Sequence, residues 1–384
     1  MSTSSISESA NALRRRVLDF IERQRLTPLG AGRYRYSESV SAATLYSSTY
    51  AAMARSLLRD LGALGSGERE EWIRYLSAHQ DDDGLFRDPA IWGEGWYEGD
   101  PLWCGRPHLS CHVITALSCL DAVAPKPIRY LEPYLDLDSL VRWLESRDWG
   151  ERVGWTGNEI MNIGTLLQYA RDFQADPRAG RAAEAMLDWL EHNHLDPSTG
   201  VWGSLDVSDA TSRSHAVQAA YHWWPLFAYD GRRIPCADRA IDTVLATQNP
   251  LGGFGWGVHN PADPFSSSVC EDIDSIYPLS LMLQESTWRR AEIREALVRA
   301  AAWVATNQTA DGGFPFTRGQ EFTYGHPALH GSRDSGAMFP TWFRILSLAY
   351  IGLSVPEHPL AELRWHFVRC PGVQFSTERR QETT

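Results

Sequence analysis

A short phrase that recurs along the chain constrains its fold more than any other feature of the sequence. It reads HQDDDGLF at 79–86, TQNPLGGFGW at 247–256 and NQTADGGFPF at 307–316, with degenerate copies ESRDWGERVGW at 145–155 and EHNHLDPSTGVW at 191–202. Each copy follows a short amphipathic segment and joins a polar turn to glycine and an aromatic residue. Such repeats are typical of helical arrays, because one helix pair cannot bury its apolar face alone.

The segments between these copies are of two alternating kinds. Six are charged on one side and precede the turn, at about 11–25, 68–80, 137–147, 181–194, 237–249 and 290–308. Six others follow the turn and are richer in apolar and aromatic residues, at about 38–62, 108–124, 159–174, 213–229, 268–285 and 335–353. Helices with one solvated stripe suit an outer ring, and mostly apolar helices suit an inner ring. The pattern therefore predicts an all-α fold, an (α/α)6 toroid. We expect one domain over residues 1–384, with 354–384 as a closing extension.

Composition narrows the classes of function and location. The net charge is −12 and no block of Lys or Arg occurs, which argues against a nucleic-acid partner. No apolar stretch is long enough to span a membrane, although peripheral contact stays open, as does the oligomeric state. The first residues contain no apolar signal segment, so we expect a cytoplasmic protein. The six cysteines form no CxxC pair and are expected to be buried thiols.

The toroid predicts where a functional site lies. All inner helices begin at the same end, so their first turns surround one central cavity, and ionisable residues there are costly unless they are paired or functional. We expect substrate-binding residues among His108, His112, Asn158, Glu159, Tyr221, Trp224, Tyr277, Arg333, Asp334 and Trp342. The competing interpretation for each is a structural ion pair or ordinary core packing.

The segment that is most informative about function is SSSVCEDIDSIYPLSLML at 266–283, which has three carboxylates at a predicted helix start. The helix dipole favours their ionised forms, whereas crowding and burial raise at least one pKa. A carboxyl that stays protonated at neutral pH can act as a general acid. Asp274, beside an apolar face, is the first candidate, while Asp272 and Glu271 are also retained. For Glu271 in particular, the alternative is a role in a helix cap begun by Ser268.

The repeated phrase is of the QxxxGxW type and resembles the superfamily of squalene-hopene cyclases and protein prenyltransferase β-subunits, over about residues 66–353. Asp272-Ile273-Asp274-Ser275 resembles the DxDD motif of class II terpenoid cyclases. The resemblance implies proton-initiated cyclisation of an isoprenoid in the cavity, with Asp274 as proton donor and Asp272 as its partner. His215 and His222 are candidates to strengthen the acid through that partner. Ser275 departs from the motif, and the chain has room for only one of the two helical domains usual in cyclases.

The resemblance also bears on cofactors. We expect none, with Mg²⁺ involved only if the substrate is a diphosphate, which Arg333 or Arg213 would hold. The prenyltransferase branch binds zinc, but Cys270 and Asp272 stand in a different order from that branch's ligands, so no metal is predicted.

Two alternatives remain open. One is a carbohydrate-active (α/α)6 enzyme in which Glu159 forms a carboxylate pair with Asp272 or Asp274 across the cavity. The other is a non-catalytic toroid that binds an isoprenoid.

Overall fold

The computed structural model of the protein describes residues 3–376, with side chains from residue 10 onwards. This part of the chain forms thirteen α-helices. They are α1 (Thr3–Arg23), α2 (Leu45–Leu57), α3 (Ser66–Ser77), α4 (Arg106–Cys119), α5 (Leu137–Glu145), α6 (Val153–Gln174), α7 (Pro177–His192), α8 (Ala210–Tyr221), α9 (Trp224–Tyr229), α10 (Ala237–Leu245), α11 (Val269–Glu285), α12 (Arg290–Thr306) and α13 (Met338–Ser354).

The remaining regular structure is short. Two antiparallel pairs are formed by β1 (Leu195–Asp196) with β2 (Val201–Trp202), and by β3 (Phe322–Thr323) with β4 (His330–Gly331). Short 3₁₀ helices occur at Thr27–Leu29, Leu61–Ala63, Gly95–Tyr97, Arg129–Tyr134, Pro327–Leu329 and Pro359–Leu363. None of the helices in the described range combines the length and apolar composition needed to traverse a bilayer.

Six helices form a closed inner ring. Helix α2 packs on α4, and the contacts continue through α6, α8, α11 and α13 back to α2. Every residue of α2 is buried, whereas the outer helix α3 buries only Trp72 and Leu76. This difference follows from the sequence, because the segments after each turn are apolar on most sides and those before it are amphipathic. The predicted (α/α)6 toroid is confirmed.

The glutamine of the repeated phrase closes each turn. The side-chain amides of Gln80, Gln248 and Gln308 donate to the carbonyl of the glycine four residues later, at 2.8, 2.9 and 2.9 Å. Gln248 also donates to the carbonyl of Ala296 in the next outer helix, at 2.8 Å. A buried carbonyl needs such a donor, so the glutamine of the repeat provides hydrogen bonds to main-chain carbonyls between helices.

A second contact ties each full copy to the inner helix that follows it. The main-chain N–H of the aromatic residue after the glycine donates to a side-chain oxygen of that helix, which we term the turn anchor. The pairs are Phe86 with Ser110 at 2.8 Å, Phe254 with Asp272 at 2.8 Å and Phe314 with Thr341 at 3.0 Å. The anchor position is therefore part of the ring's architecture.

In the degenerate copies, a tryptophan side chain satisfies a backbone carbonyl. The indole N–H of Trp149 donates to the carbonyl of Leu144 at 3.0 Å, and that of Trp202 to the carbonyl of Leu190 at 2.7 Å. Each of these carbonyls belongs to the last turns of an outer helix, which lacks intrahelical donors. An indole in the turn thus replaces a glutamine amide.

The segment 370–376 enters the barrel at the carboxyl ends of the inner helices. The Gln374 side chain accepts from Trp342 Nε1 at 2.6 Å and donates to the carbonyl of Met53 at 3.1 Å. The Tyr350 hydroxyl donates to the carbonyls of Val373 and Phe375 at 2.6 and 2.9 Å. Residues 377–384 of the predicted closing extension lie outside the described residues. The assignment of the chain to one domain stays a prediction.

Candidate functional site

One face of the inner helix α11 carries the first candidate acid. Cys270, Asp274 and Tyr277 are spaced so that they share this face. The ring of Tyr277 contacts Tyr350 of α13 at 4.6 Å and Phe375 of the C-terminal segment at 6.3 Å, measured between centroids. These contacts orient the face towards the interior of the barrel, with Asp274 about one helical turn before Tyr277.

Asp274 is a carboxyl group with few partners. It is 4 % exposed and receives a side-chain hydrogen bond from Gln218 of α8. Burial, and then the negative charges of Glu271 and Asp272, raise the pKa of Asp274 well above its ordinary value. Pro278 has no N–H, so the main-chain carbonyl of Asp274 also lacks its helical hydrogen bond. Burial therefore favours the neutral, protonated form of this side chain.

Asp272 has the opposite environment. It is 0 % exposed and accepts hydrogen bonds from the Phe254 N–H at 2.8 Å and the Ser267 hydroxyl at 2.9 Å. Trp303 Nε1 donates at 3.0 Å, and the guanidinium of Arg344, itself fully buried, forms an ion pair with the same carboxylate. Four donors occupy this carboxylate, so the structure gives Asp272 the role of a turn anchor and not a position on the cavity surface.

Glu271 caps α11. Its carboxylate accepts from the Ser268 N–H at 2.8 Å and from the Val258 N–H at 3.0 Å, while Ser268 caps the Glu271 N–H in return. Burial opposes ionisation, but hydrogen bonds from His259 and Ser268 outweigh it and lower the pKa of Glu271. Gly255 has φ +99°, and a Cβ there would lie 2.6 Å from the Glu271 Oε1. Glu271 therefore takes part in the helix cap begun by Ser268, as the alternative interpretation of the sequence predicts.

Neither predicted histidine partner contacts Asp272. His222 Nδ1 shares a hydrogen bond with the carbonyl of Gln218 at 2.7 Å, and burial lowers the pKa of His222 to about 4. His215, about two turns earlier on α8, is exposed. Tyr221 lies near Asp274, since burial and then the Asp274 charge raise the pKa of its phenol well above the ordinary value.

Helix α4 contributes a hydrogen-bonded pair of imidazoles to the opposite wall. His108 Nδ1 shares a hydrogen bond with the Tyr46 hydroxyl at 2.7 Å, and His108 Nε2 lies 3.3 Å from His112 Nε2. Burial lowers the pKa of His112 to about 3 and that of His108 well below its ordinary value. Burial thus favours the neutral form of both rings.

A small cavity of about 20 Å³ lies beside His108 and His112. Its lining consists of Met53, His108, Cys111, His112, Thr115, Met161, Asn162, Thr165, Trp342, Gly372, Val373 and Gln374. The last three come from the C-terminal segment, which therefore forms a floor. Gln374 and its neighbours could not be assigned to the site from sequence, since they lie outside every repeat.

Three tryptophans lie together at the mouth of the barrel, the end at which the inner helices begin. Trp96 and Trp155 are 37 % and 42 % exposed, and Trp103 lies between them with centroid distances of 5.3 and 4.2 Å. Asn158 Nδ2 holds this rim by donating to the Trp103 carbonyl at 2.6 Å, while its Oδ1 has no partner among the described residues. No signal in the sequence predicts that these three tryptophans lie together.

Several predicted binding residues have other partners or positions. Glu159 forms an ion pair with Arg147 at 2.9 Å, close to the outer helix α5. Arg333 and Asp334 are exposed, and Asp334 Oδ1 accepts from the Gly319 N–H. Trp224 is 0 % exposed and packs near Trp202. Within residues 3–376, no three His, Cys, Asp or Glu side chains are grouped to hold a metal ion.

Comparison with solved structures shows what this ring is similar to. A polysaccharide lyase is 11 % identical with a TM-score of 0.52, covering 90 % of this chain and 97 % of its own. A family 88 glycosyl hydrolase from Bacteroides vulgatus is 13 % identical with a TM-score of 0.51, covering 93 % and 99 %. The unsaturated glucuronyl hydrolase of Bacillus sp. GL1 is 13 % identical with a TM-score of 0.51, covering 89 % and 95 %. No protein-family model matches the chain.

These similarities correct the resemblance drawn from the repeated phrase. The three structures named above are of carbohydrate-active enzymes, so the predictions of a terpenoid cyclase and of an isoprenoid substrate are wrong. The physical reason is that the repeated phrase specifies the turns that join the helices of the ring. Its likeness to DxDD begins at Asp272, an anchor that Ser110 and Thr341 replace in other copies. At 11–13 % identity the similarity establishes the fold alone.

Proposed function

We propose that the protein is a carbohydrate-active enzyme that hydrolyses a glycosidic bond, with Asp274 as the general acid. The observation that carries this proposal is the environment of Asp274, a carboxyl buried on an inner helix of the ring, where burial raises its pKa and favours the protonated form. Such a group can give its proton to the leaving oxygen as the bond breaks. Gln218 donates to the carboxyl and orients it.

The surroundings support a polyhydroxylated substrate. The exposed indoles of Trp96 and Trp155 offer flat apolar faces at the mouth, on which a sugar ring can stack. Below them, neutral imidazoles and amides can exchange hydrogen bonds with hydroxyl groups. His108, His112, Asn158, Tyr221, Tyr277 and Trp342 are retained as substrate-binding proposals. Glu159 is not, because Arg147 occupies its carboxylate.

The test is a panel of gluco-, manno- and galacto-oligosaccharides in both anomeric linkages, incubated with purified protein and analysed by mass spectrometry. We expect at least one to gain water and break. Asp274→Asn, which keeps the size and polarity of the side chain, should lower kcat by about 10³-fold. Asp138→Asn, an exposed position on α5, is the matched control. Equal turnover by Asp274→Asn, or no cleavage by folded wild-type protein, would contradict the proposal.

A cytoplasmic location also belongs to this proposal. All six cysteines are free thiols, four of them buried, which is usual for proteins of reducing compartments. Fractionation of the producing cells, followed by immunodetection, would test it.

A further inference from the structure

One face of the inner helix α8 is accessible to solvent. Beyond the first turn of this helix, the residues that are not buried are His215, Gln218 and His222, where His222 is the residue that follows α8. Their spacing of three and four places them on one helical face. Gln218 donates to Asp274 of α11, so this face is directed towards the candidate acid. We term these three residues the α8 stripe.

His222 is the member of the α8 stripe that lies farthest from the mouth, and it points into the interior. Burial, then His112, then His222 lower the pKa of His108 on α4, so the rings of His222 and His108 are near each other. Helix α6 stands between α4 and α8 in the ring. Because α4 and α8 are not neighbours, the two imidazoles approach each other across the interior of the barrel.

The contacts of His222 determine which ring nitrogen carries the hydrogen. Nδ1 lies 2.7 Å from the main-chain carbonyl of Gln218, and a carbonyl oxygen has no hydrogen to donate, so Nδ1 is the donor. In the neutral ring, Nε2 therefore has the lone pair. A Cβ at Gly157 of α6 would lie 3.2 Å from Nδ1, so the Nδ1 side of the ring lies against the helices. The Nε2 side is directed away from them and presents a proton acceptor to the interior.

Burial gives this acceptor a suitable strength. It lowers the pKa of His222 to about 4 and so favours the uncharged ring at neutral pH. A pKa of about 4 is ordinary for aspartate and glutamate, the groups that usually activate water in glycoside hydrolysis. The neutral imidazole of His222 is thus about as strong a base as a carboxylate.

Hydrolysis with a general acid needs such a second group, and the candidate carboxylates have other partners. Asp272 and Glu159 each form an ion pair with an arginine, and Glu271 caps the start of α11. His222 has a free lone pair and belongs to the same helical face as the donor to Asp274. It is therefore the residue best placed to act as the base.

We propose that His222 is the general base of the hydrolysis and acts together with Asp274. The inference rests on the proposed function. Nε2 takes a proton from water while the water oxygen bonds to the anomeric carbon. At the same time the C–O bond breaks and the leaving oxygen receives the proton of Asp274. One water is consumed, and the proton on His222 returns to Asp274 through solvent. Since water attacks directly, opposite to the leaving group, the anomeric configuration is inverted.

The first experiment determines that configuration. An oligosaccharide that the panel shows to be cleaved is followed by proton NMR from the first minutes, before the new anomeric centre equilibrates. We expect the first product to have the anomeric configuration opposite to that of the cleaved bond. A retained configuration, in a cleavage that still depends on Asp274, would overturn this inference and leave the proposed function standing. Absence of any Asp274-dependent cleavage would overturn both.

The second experiment removes the base. His222→Asn keeps an amide donor for the carbonyl of Gln218 but has no Nε2, and it should lower kcat about 10³-fold. His222→Ala should lose as much, and added imidazole should restore part of its turnover. His192→Ala is the matched control, because His192 Nδ1 also lies 2.7 Å from the carbonyl four residues earlier, on the exposed side of the outer helix α7.

The outcomes distinguish a base from a structural histidine. Both His222 variants should have the circular dichroism spectrum of the wild type. Full turnover by His222→Asn, or a loss in His222→Ala that imidazole does not restore, would assign His222 a structural role and overturn the inference.

Discussion

Helix α11 carries two aspartates whose surroundings differ as much as the fold allows. Asp272 faces the turn and the outer layer, where four donors including Arg344 occupy its carboxylate. Asp274 faces the barrel axis, where Gln218 is the donor to its carboxyl. A buried charge is tolerated when it is paired, and a buried carboxyl without a cation remains protonated. The first arrangement holds the ring together, and the second leaves a group free for chemistry.

The repeats explain this division. The anchor position of Asp272 is filled by Ser110 in α4 and by Thr341 in α13, each of which accepts the same kind of N–H. Two residues after the anchor, α4 carries His112 and α11 carries Asp274, and His112 lines the central cavity. The anchor position is thus structural in each of these helices. The position two residues later differs between them and is open to a functional residue.

The largest effect on stability is expected at Asp272. Asp272→Asn leaves Arg344 buried without a counter-charge, which should lower the free energy of unfolding by about 3 kcal/mol. Urea denaturation followed by circular dichroism measures this change. The double variant Asp272→Asn with Arg344→Met removes both charges and should be more stable than the single variant. If the two variants unfold at the same urea concentration, the ion pair is not the reason for the loss.

A pH-dependent effect is expected at Asp274. Because burial raises its pKa, the folded protein keeps this proton at pH values where the unfolded chain has lost it. The free energy of unfolding should therefore fall as pH rises from the ordinary carboxyl pKa towards the raised one. Asp274→Asn removes this term, so its stability relative to wild type should grow by about 1.4 kcal/mol per pH unit in that window. A difference that stays constant from pH 4 to 7 would show that the carboxyl is ionised in the folded state.

The smallest effect is expected at an uncharged anchor. Thr341→Val keeps the shape of the side chain but leaves the buried Phe314 N–H without an acceptor, at a cost of about 1 kcal/mol. Thermal unfolding detects a change of this size, with Thr27→Val at an exposed position as the control. A loss as large as that in Asp272→Asn would mean that the anchoring contact, and not the charge, dominates at both sites.

The sequence was sufficient for the ring and insufficient for its chemistry. Periodic glycine turns and alternating helix types predict twelve helices and the end at which the cavity opens, because these properties are local. The partners of Asp272 and Glu159 depend on side chains from other segments, such as Arg344, 72 residues away. The rim of Trp96, Trp103 and Trp155 depends on the path of an irregular loop. No local pattern specifies either.

The base of the cavity has a consequence for how the site comes into being. Residues 370–376 follow every helix of the ring in the chain, so during synthesis the helices leave the ribosome before the segment that closes the cavity. Gln374 can bond to Trp342 and Met53 only after both of these residues have been made, so closure of the cavity base is a late step of assembly.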